Sequence, residues 1–98
     1  MATEQAIEIQ GPAGVLEARW QPGKGESSDG LLMCHPHPLF DGTMNNKVVT
    51  SMTRTASRLG LSTLRFNFRG VGGSEGEHDH GQGEQQDVLA ALRRLVQL

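Results

Sequence analysis

A short apolar run that ends in two alternating prolines constrains this chain more than any other feature. The run begins at Leu31 and ends at Cys34, and Pro36 and Pro38 follow in a loop that leads into a helical pattern. Each proline fixes its own φ, lacks an N–H and pushes the preceding residue towards an extended conformation. The pattern therefore predicts a strand, a stiff turn and a helix start. Because ligands bind at the carboxyl ends of strands in open parallel sheets, this turn is the first candidate for a functional site.

Composition limits what else the chain can do. Its 98 residues predict a single domain over residues 1–98 with a thin core, because only 36% are hydrophobic and there are one Trp, three Phe and no Tyr. The net charge of −2 does not indicate nucleic acid or a membrane as a partner. The single cysteine excludes an internal disulfide. No leader or spanning segment is recognisable, so we expect a soluble cytoplasmic protein.

Strand patterns occur on both sides of the central run. Residues 6–10 and 15–21 alternate partially and are separated by a Gly-Pro-Ala-Gly turn, which predicts a hairpin. Residues 21–30 form a polar loop with three glycines. A further strand is predicted over residues 61–68, where apolar residues are interleaved with Arg and Asn near the end.

Two amphipathic helices complete the pattern. The first is expected to begin at Asn45 or Asn46 as N-cap and to end at Gly60, and the second runs from about residue 83 to residue 98. Their expected apolar positions are Val48, Val49, Met52, Ala56 and Leu59 in the first, and Val88, Leu89, Leu92, Leu95 and Val96 in the second. A hairpin followed by strand, helix, strand and helix predicts an α/β fold of three layers, with parallel strands joined by helical crossovers.

Ser74 lies in a match to the letters G-x-S-x-G of a nucleophile elbow. In an elbow the serine occupies a sharp turn directly between a strand and a helix. Here the strand is predicted to end near Phe68, and the loop continues through His80 before a helix begins. We therefore reject Ser74 as a nucleophile and interpret the segment as a tight turn. The same loop lacks the Lys and Ser/Thr of a phosphate-binding Walker loop.

Four histidines and the cysteine are the other chemical candidates. His35 and His37 alternate, as do His78 and His80, and they could form a metal site if the two loops met. Without a cysteine pair or a helical histidine spacing, hydrogen-bonding roles are favoured, and neither a metal nor a cofactor is predicted. Cys34 follows an apolar run and is expected to pack in the core rather than act as a nucleophile.

Two segments together resemble the N-terminal half of α/β hydrolases, specifically a bacterial group close to the dienelactone hydrolases. The first is residues 31–49, with the His-Pro-His-Pro turn and Asp-Gly-Thr-Met-Asn-Asn, and the second is residues 64–76, which read Leu-Arg-Phe-Asn-Phe-Arg-Gly-Val-Gly-Gly-Ser-Glu-Gly. The resemblance covers about residues 6–98. It implies a partial α/β-hydrolase sheet and a parent activity of serine-type hydrolysis of small esters or lactones.

The resemblance also implies roles for particular residues. His35, His37 and Leu39 would lie in the oxyanion-hole loop, with backbone amides near His37 and Leu39 as donors because Pro36 and Pro38 have no N–H. The second motif would form a structural loop. Its residues are Asn67, Arg69, Gly70, Gly72, Ser74 and Gly76.

The family's nucleophile, acid and histidine come after the second helix, so this chain is expected to lack a triad and to be inactive unless complemented. Two function classes stay open: a truncated hydrolase, and a non-catalytic module that associates with itself or binds a partner. The family's strand order is first, second, fourth, third. The strand from Leu31 to Cys34 would then be an uncovered edge, and we expect a homo-oligomer joined along it or through the helix faces.

Overall fold

The computed structural model describes residues 4–24, 29–35 and 42–98. Its elements are β1 (Gln5–Gly11), β2 (Gly14–Gln21), β3 (Gly30–Met33), α1 (Lys47–Arg58), β4 (Ser62–Phe66) and α2 (Gln82–Gln97). Within these ranges the strands form one sheet in the order β1-β2-β4-β3, in which β3 and β4 are parallel and the other neighbours antiparallel. The α/β fold class and the strand order implied by the resemblance are confirmed.

The hairpin turns at Pro12 and Ala13, so that Gly11 and Gly14 are paired across it. Gly14 has a φ of +127°, a conformation that residues with a Cβ rarely adopt. The hairpin prediction is therefore confirmed.

The two helices lie on opposite faces of the sheet. Strand β4 shows this, since its alternate residues point to opposite sides and contact different helices. Leu64 and Phe66 belong to a core that also contains Ala91 of α2. Arg65 points the other way and lines a cleft together with Thr53 of α1. The sheet is thus the middle of three layers, as expected.

Helix α1 begins at a side-chain cap and is buried along one narrow stripe. The Asn46 Oδ1 accepts a hydrogen bond from Val48 N at 2.9 Å, which satisfies one of the unpaired N–H groups of the first turn. At the other end Gly60 follows the helix with a φ of +90°. The stripe that packs on the sheet contains Val49, Thr53 and Ala56. The expected apolar face was partly wrong, because Val48, Met52 and Leu59 are exposed.

Helix α2 also differs from its predicted face. Its buried residues are Gly83, Asp87 and Ala91, with Val88 and Leu95 packed at the margin of the core. Leu89, Leu92 and Val96 are exposed, contrary to expectation. The physical reason is that the contact is centred on Ala91, whose small side chain allows a close approach to the sheet, and on Asp87, a polar residue that hydropathy does not count.

Strand β3 is an edge strand among the described residues, where it pairs only with β4. It ends at Met33, one residue earlier than predicted. Cys34 lies beyond the strand and is exposed, so the expectation of a core cysteine was wrong. Of the predicted loop over residues 21–30, Gln21 belongs to β2 and Gly30 to β3, and residues 25–28 lie outside the described ranges. No helix in the described ranges is both long and apolar enough to cross a membrane.

Candidate functional site

His35 anchors the point where the chain leaves β3 and enters the turn. Its Nε2 accepts a hydrogen bond from the Phe68 backbone N at 2.9 Å, so this nitrogen carries no proton in this arrangement. The ring packs edge-on against the Phe68 ring, with 4.8 Å between centroids, and only 6% of the residue is exposed. The start of the turn is therefore held against the end of β4. His37 and Leu39, the other two predicted oxyanion-loop residues, lie outside the described residues.

The chain beyond the turn is held by β4 as well. Met44 is buried, its N donates to Asn67 Oδ1 at 2.8 Å, and its carbonyl accepts from Arg65 Nη1 at 2.6 Å. Both backbone polar groups of this residue are thus satisfied by side chains, one from Arg65 in β4 and one from Asn67 directly after the strand. Together with His35, these bonds fix the chain on either side of residues 36–41.

Arg65 is itself held by an acidic partner at the start of the chain. Its Nε and Nη2 donate to the two carboxylate oxygens of Glu4 at 2.8 and 2.7 Å, a bidentate pair, and its Nη1 also donates to Asn45 Oδ1. The guanidinium therefore joins the residue before β1, strand β4 and the segment before α1.

The glycine-rich loop after β4 docks on β2 through Glu17. Its Oε1 accepts from Asn67 Nδ2 at 2.7 Å and from Gly73 N at 2.9 Å. The Gly73 N–H is the main reason that the pKa of Glu17 is lowered from 4.5, with Asn67 and Arg19 adding to it and burial opposing it. One carboxylate thus ties the end of β4 and the loop to β2.

Ser74 lies inside this connection. Its Oγ accepts from Glu17 N at 2.8 Å and donates to Asn67 O at 2.6 Å, and the residue is only 8% exposed. In sequence, Ser74 is well separated from both flanking elements, since β4 ends at Phe66 and α2 begins at Gln82. The hydroxyl proton is directed to a backbone carbonyl rather than to an imidazole.

The glycines of this loop have positive φ angles and are closely packed, as the sequence predicts. Gly70, Gly72 and Gly76 have φ values of +75°, +53° and +93°. A Cβ at Gly72 would lie 2.6 Å from Asn67 Nδ2 and 2.9 Å from Glu17 Oε1. The glycine is therefore required both by its backbone conformation and by the polar groups around it.

Arg69 connects the loop to α2 through a buried carboxylate. Asp87 is fully buried and accepts from Arg69 N at 3.0 Å, from its Nε at 3.2 Å and from its Nη2 at 2.9 Å. The Arg69 Nη2 also donates to Gly83 O at 2.8 Å. The hydrogen bond to Asp87 raises the pKa of Arg69 further, which keeps the guanidinium charged. The pair fixes the angle at which α2 leaves the loop.

The second histidine pair lies away from this network. The His78 and His80 rings pack edge-on with 5.1 Å between centroids, and His78 Nδ1 is 3.0 Å from Glu84 Oε2. Among the described residues no three His, Cys, Asp or Glu side chains are grouped so that they could hold a metal ion.

Sequence reasoning missed three residues that build the site. Glu17 and Glu4 leave no local signal, because their partners are tens of residues away in the chain. Asp87 could have been found, since it lies one helical turn before Ala91 on the side of α2 that packs on the sheet.

No protein-family model matches the chain. It is 45% identical over 91 residues to an uncharacterized protein, RP471, of Rickettsia prowazekii, a match that covers 93% of this chain and 38% of that protein. Solved structures are similar to the chain as well. An alpha-beta serine hydrolase homologue from Coxiella burnetii is 52% identical with a TM-score of 0.86, and the match covers 93% of this chain and 44% of that one.

Another similar structure is XC6422 from Xanthomonas campestris, a member of the a/b serine hydrolases without a lid. It is 37% identical with a TM-score of 0.83, and the match covers 94% of this chain and 44% of that one. The chain spans less than half the length of each of these three proteins. The chain therefore has the fold of an α/β hydrolase and corresponds to the N-terminal part of one.

Proposed function

We propose that this chain is the part of a serine-type α/β hydrolase that carries the oxyanion loop, and that it does not attack a substrate by itself. The parent reaction is hydrolysis of small esters or lactones, as in the dienelactone hydrolases that the sequence resembles. The observation that carries the proposal is the anchoring of the chain on both sides of residues 36–41, by His35 to Phe68 and by Met44 to Asn67 and Arg65.

Anchoring of this kind suits an oxyanion hole because the donors must already be in place when charge develops in the transition state. Backbone amides near His37 and Leu39 are the donors in this proposal. His35, Arg65 and Asn67 act as positioning residues, since each holds the loop rather than the substrate.

Ser74 has a structural role in this proposal. Its hydroxyl joins Glu17 N to Asn67 O, so no catalytic base takes its proton. The attacking serine, the acid and the histidine would come from sequence that follows α2 in proteins of this family. We place the protein in the cytoplasm on the strength of its single cysteine.

Labelling with a fluorophosphonate tests the first half of the proposal. The 98-residue chain should not be labelled, and hydrolysis of p-nitrophenyl acetate should equal that of the Ser74→Ala variant. Labelling at Ser74 that disappears in this variant would contradict the proposal.

Complementation tests the second half. The portion of the Coxiella burnetii homologue that this chain does not match is produced as a separate polypeptide and mixed with the chain. Ester hydrolysis and probe labelling of the added portion should appear in the mixture and in neither component alone. His35→Ala should lower kcat more than it raises KM, because the loop acts in the transition state. If the two components are shown to associate but the mixture is inactive, the proposal is contradicted.

A second function, self-association, is favoured by the surface next to β3. This strand lies at an edge of the sheet, and apolar side chains of both helices are exposed, including Met52 and Val96. Unpaired strand edges and large exposed apolar patches commonly mark sites where another chain binds. We propose that two copies can join along β3 or through these helix faces.

Size-exclusion chromatography with light scattering tests this second function. The wild-type chain should behave as a dimer at micromolar concentration. If the helix faces join the two copies, the variant Met52→Lys/Val96→Lys should shift towards monomer with an unchanged circular dichroism spectrum, whereas a dimer joined along β3 should persist in this variant. The control Thr55→Lys/Gln86→Lys adds the same charge at polar exposed positions and should remain dimeric. A monomeric wild-type chain would remove the proposal.

A further inference from the structure

A second concave site lies between β2 and the carboxyl-terminal half of α1. The cleft has a volume of about 420 Å³, which lies within the range of small-molecule sites. Four of the nine Lys and Arg residues of the chain line it, together with one carboxylate: Lys24, Arg54, Arg58, Arg65 and Glu4. The whole chain carries a net charge of −2, so positive charge is concentrated in this cleft.

Three of these cations are available to a ligand. The donors of Arg65 are committed to Glu4, Met44 and Asn45, and Glu4 is neutralised by the same contact. Within the described part of the chain, no hydrogen bond or ion pair engages the side chains of Lys24, Arg54 or Arg58. The cleft therefore keeps a positive charge that nothing described in this chain balances.

The sequence of α1 reinforces this. The helix contains Lys47, Arg54 and Arg58 and no Asp or Glu. Arg54 and Arg58 are four residues apart, where like charges repel one another and disfavour the helix. In α2, by contrast, both signs occur, with Glu84 and Asp87 in its first half and Arg93 and Arg94 in its second. Two neighbouring arginines on a helix that has no acidic residue and lines a cleft are typical of a site that attracts an anion.

We propose that this cleft binds the phosphate group of a small phosphate monoester. The forked guanidinium donors of Arg54 and Arg58 match phosphate oxygens, and Lys24, which follows β2, supplies a third positive charge to the same cleft. The Ser57 hydroxyl lines the same cleft and adds a neutral donor. A dianion fits the three available cations better than a monoanion does, and the volume leaves room for the organic part of the ester.

The cleft extends away from the proposed oxyanion loop, although the two share Arg65. Gln21, one of its lining residues, is paired with Thr63 at the start of β4. Strands β3 and β4 are parallel, and the chain enters the loop from the end of β3, which is the other end of this strand pair. Arg65 is the one residue shared with the loop anchors. Binding of phosphate can therefore be tested without reference to ester hydrolysis.

Isothermal titration of the 98-residue chain with phenyl phosphate and with inorganic phosphate tests the proposal. Phenyl phosphate should bind, and Arg54→Gln/Arg58→Gln should weaken its Kd at least tenfold. Arg54→Lys/Arg58→Lys should recover part of the affinity, because charge is kept and the fork is lost. Arg65 is left intact in every variant. No binding of phenyl phosphate by the wild-type chain would overturn the proposal.

The matched control is Arg93→Gln/Arg94→Gln, which removes the same charge from α2. It should leave the Kd for phenyl phosphate unchanged. A loss of affinity equal to that of Arg54→Gln/Arg58→Gln would mean that binding depends only on the net charge of the chain. Succinate, a dicarboxylate, should bind at least tenfold more weakly than phenyl phosphate, and equal binding would overturn the assignment to phosphate. Circular dichroism confirms that each variant is folded before its affinity is compared.

Discussion

The loops after β4 and the outer surfaces of the two helices are built in opposite ways. Around the end of β4, the polar side chains of Arg65, Asn67 and Arg69 each make several hydrogen bonds to groups far away in the sequence. On the outer surfaces, Leu59 and Val96 are 75% and 81% exposed and pack little against the described chain. The comparison teaches that the geometry of the loop is determined by contacts within the described chain, whereas the exposed apolar side chains of the helices contribute little to its packing.

This difference has a measurable consequence for stability. Removing a partner from the loop network leaves buried polar groups unsatisfied, which is costly in free energy. A substitution on the outer surface of the helices should change the free energy of unfolding by less than about 0.5 kcal/mol. Matched pairs of variants therefore measure how strongly the two regions differ.

The largest effect is expected for Asp87→Asn. The substitution keeps the shape of the side chain but leaves the Arg69 guanidinium without its buried counter-charge, which typically costs about 3–5 kcal/mol. Urea unfolding followed by circular dichroism measures the loss. Glu77→Gln in the exposed loop before α2 is the control and should change stability by less than about 0.5 kcal/mol. Equal stability of the two variants would show that the ion pair does not hold α2 to the loop.

Gly72→Ala comes next, with an expected loss of about 2–3 kcal/mol. Alanine at this position must adopt a left-handed backbone conformation, and its Cβ would lie 2.6 Å from Asn67 Nδ2. Gly81→Ala is the control, because Gly81 also has a positive φ but no atom lies within 4 Å of the position of its Cβ. The φ of Gly72, +53°, lies in the left-handed region that alanine can adopt, whereas the φ of Gly81, +103°, lies outside it. Backbone strain alone would therefore make Gly81→Ala the costlier change, and a larger loss at Gly72 must come from crowding. If the two losses are the same, the loop is not as tightly packed on β2 as its contacts imply.

The same loop shows how far the sequence can predict this protein. The hairpin, the Asn46 cap and the tight glycine turn were predictable because each depends on residues close together in the chain. The partners of Asn67 and Ser74 were not, since Glu17 contacts them across about 50 residues and no local pattern records such a pair.

The helices show a different limit. Apolar spacing correctly predicted two amphipathic helices, but each carries two overlapping apolar stripes, and hydropathy does not indicate which one packs on the sheet. In α1 the stripe of Val49 and Ala56 is buried while neighbouring Val48 is exposed. In α2 the buried stripe includes Asp87, which a search for apolar residues passes over. The strand order came from the family resemblance and not from periodicity.

Ser74→Ala is expected to destabilise the chain by about 1–2 kcal/mol. The variant loses the acceptor of Glu17 N and the donor to Asn67 O, and both backbone groups lie in a region with little access to water. Ser51→Ala on the exposed side of α1 is the matched control and should be neutral or slightly stabilising, because alanine favours a helix. Equal effects of the two substitutions would indicate that the Ser74 hydroxyl has no structural role and would reopen the question of its reactivity.

The smallest effect is expected for Glu17→Gln, and it depends on pH. The Gly73 N–H and the Asn67 amide favour the Glu17 carboxylate in the folded chain, so its folded pKa lies below the ordinary value of 4.5. The folded chain then binds this proton less tightly than the unfolded chain does. The resulting stability is fully present above a pH of about 4.5 and is lost as the pH falls through the folded pKa.

The side chain is partly exposed, so the difference between wild type and Glu17→Gln at neutral pH should be below about 1 kcal/mol. Urea unfolding at pH 7 and at successively lower pH measures it. The difference should shrink as the pH falls below about 4.5, while the control Glu77→Gln, in the exposed part of the loop, should show a smaller difference at every pH. A difference that grows on acidification would mean that Glu17 is protonated in the folded chain, and the hydrogen bonds that join the loop to β2 would then need a neutral acceptor instead of a charged one.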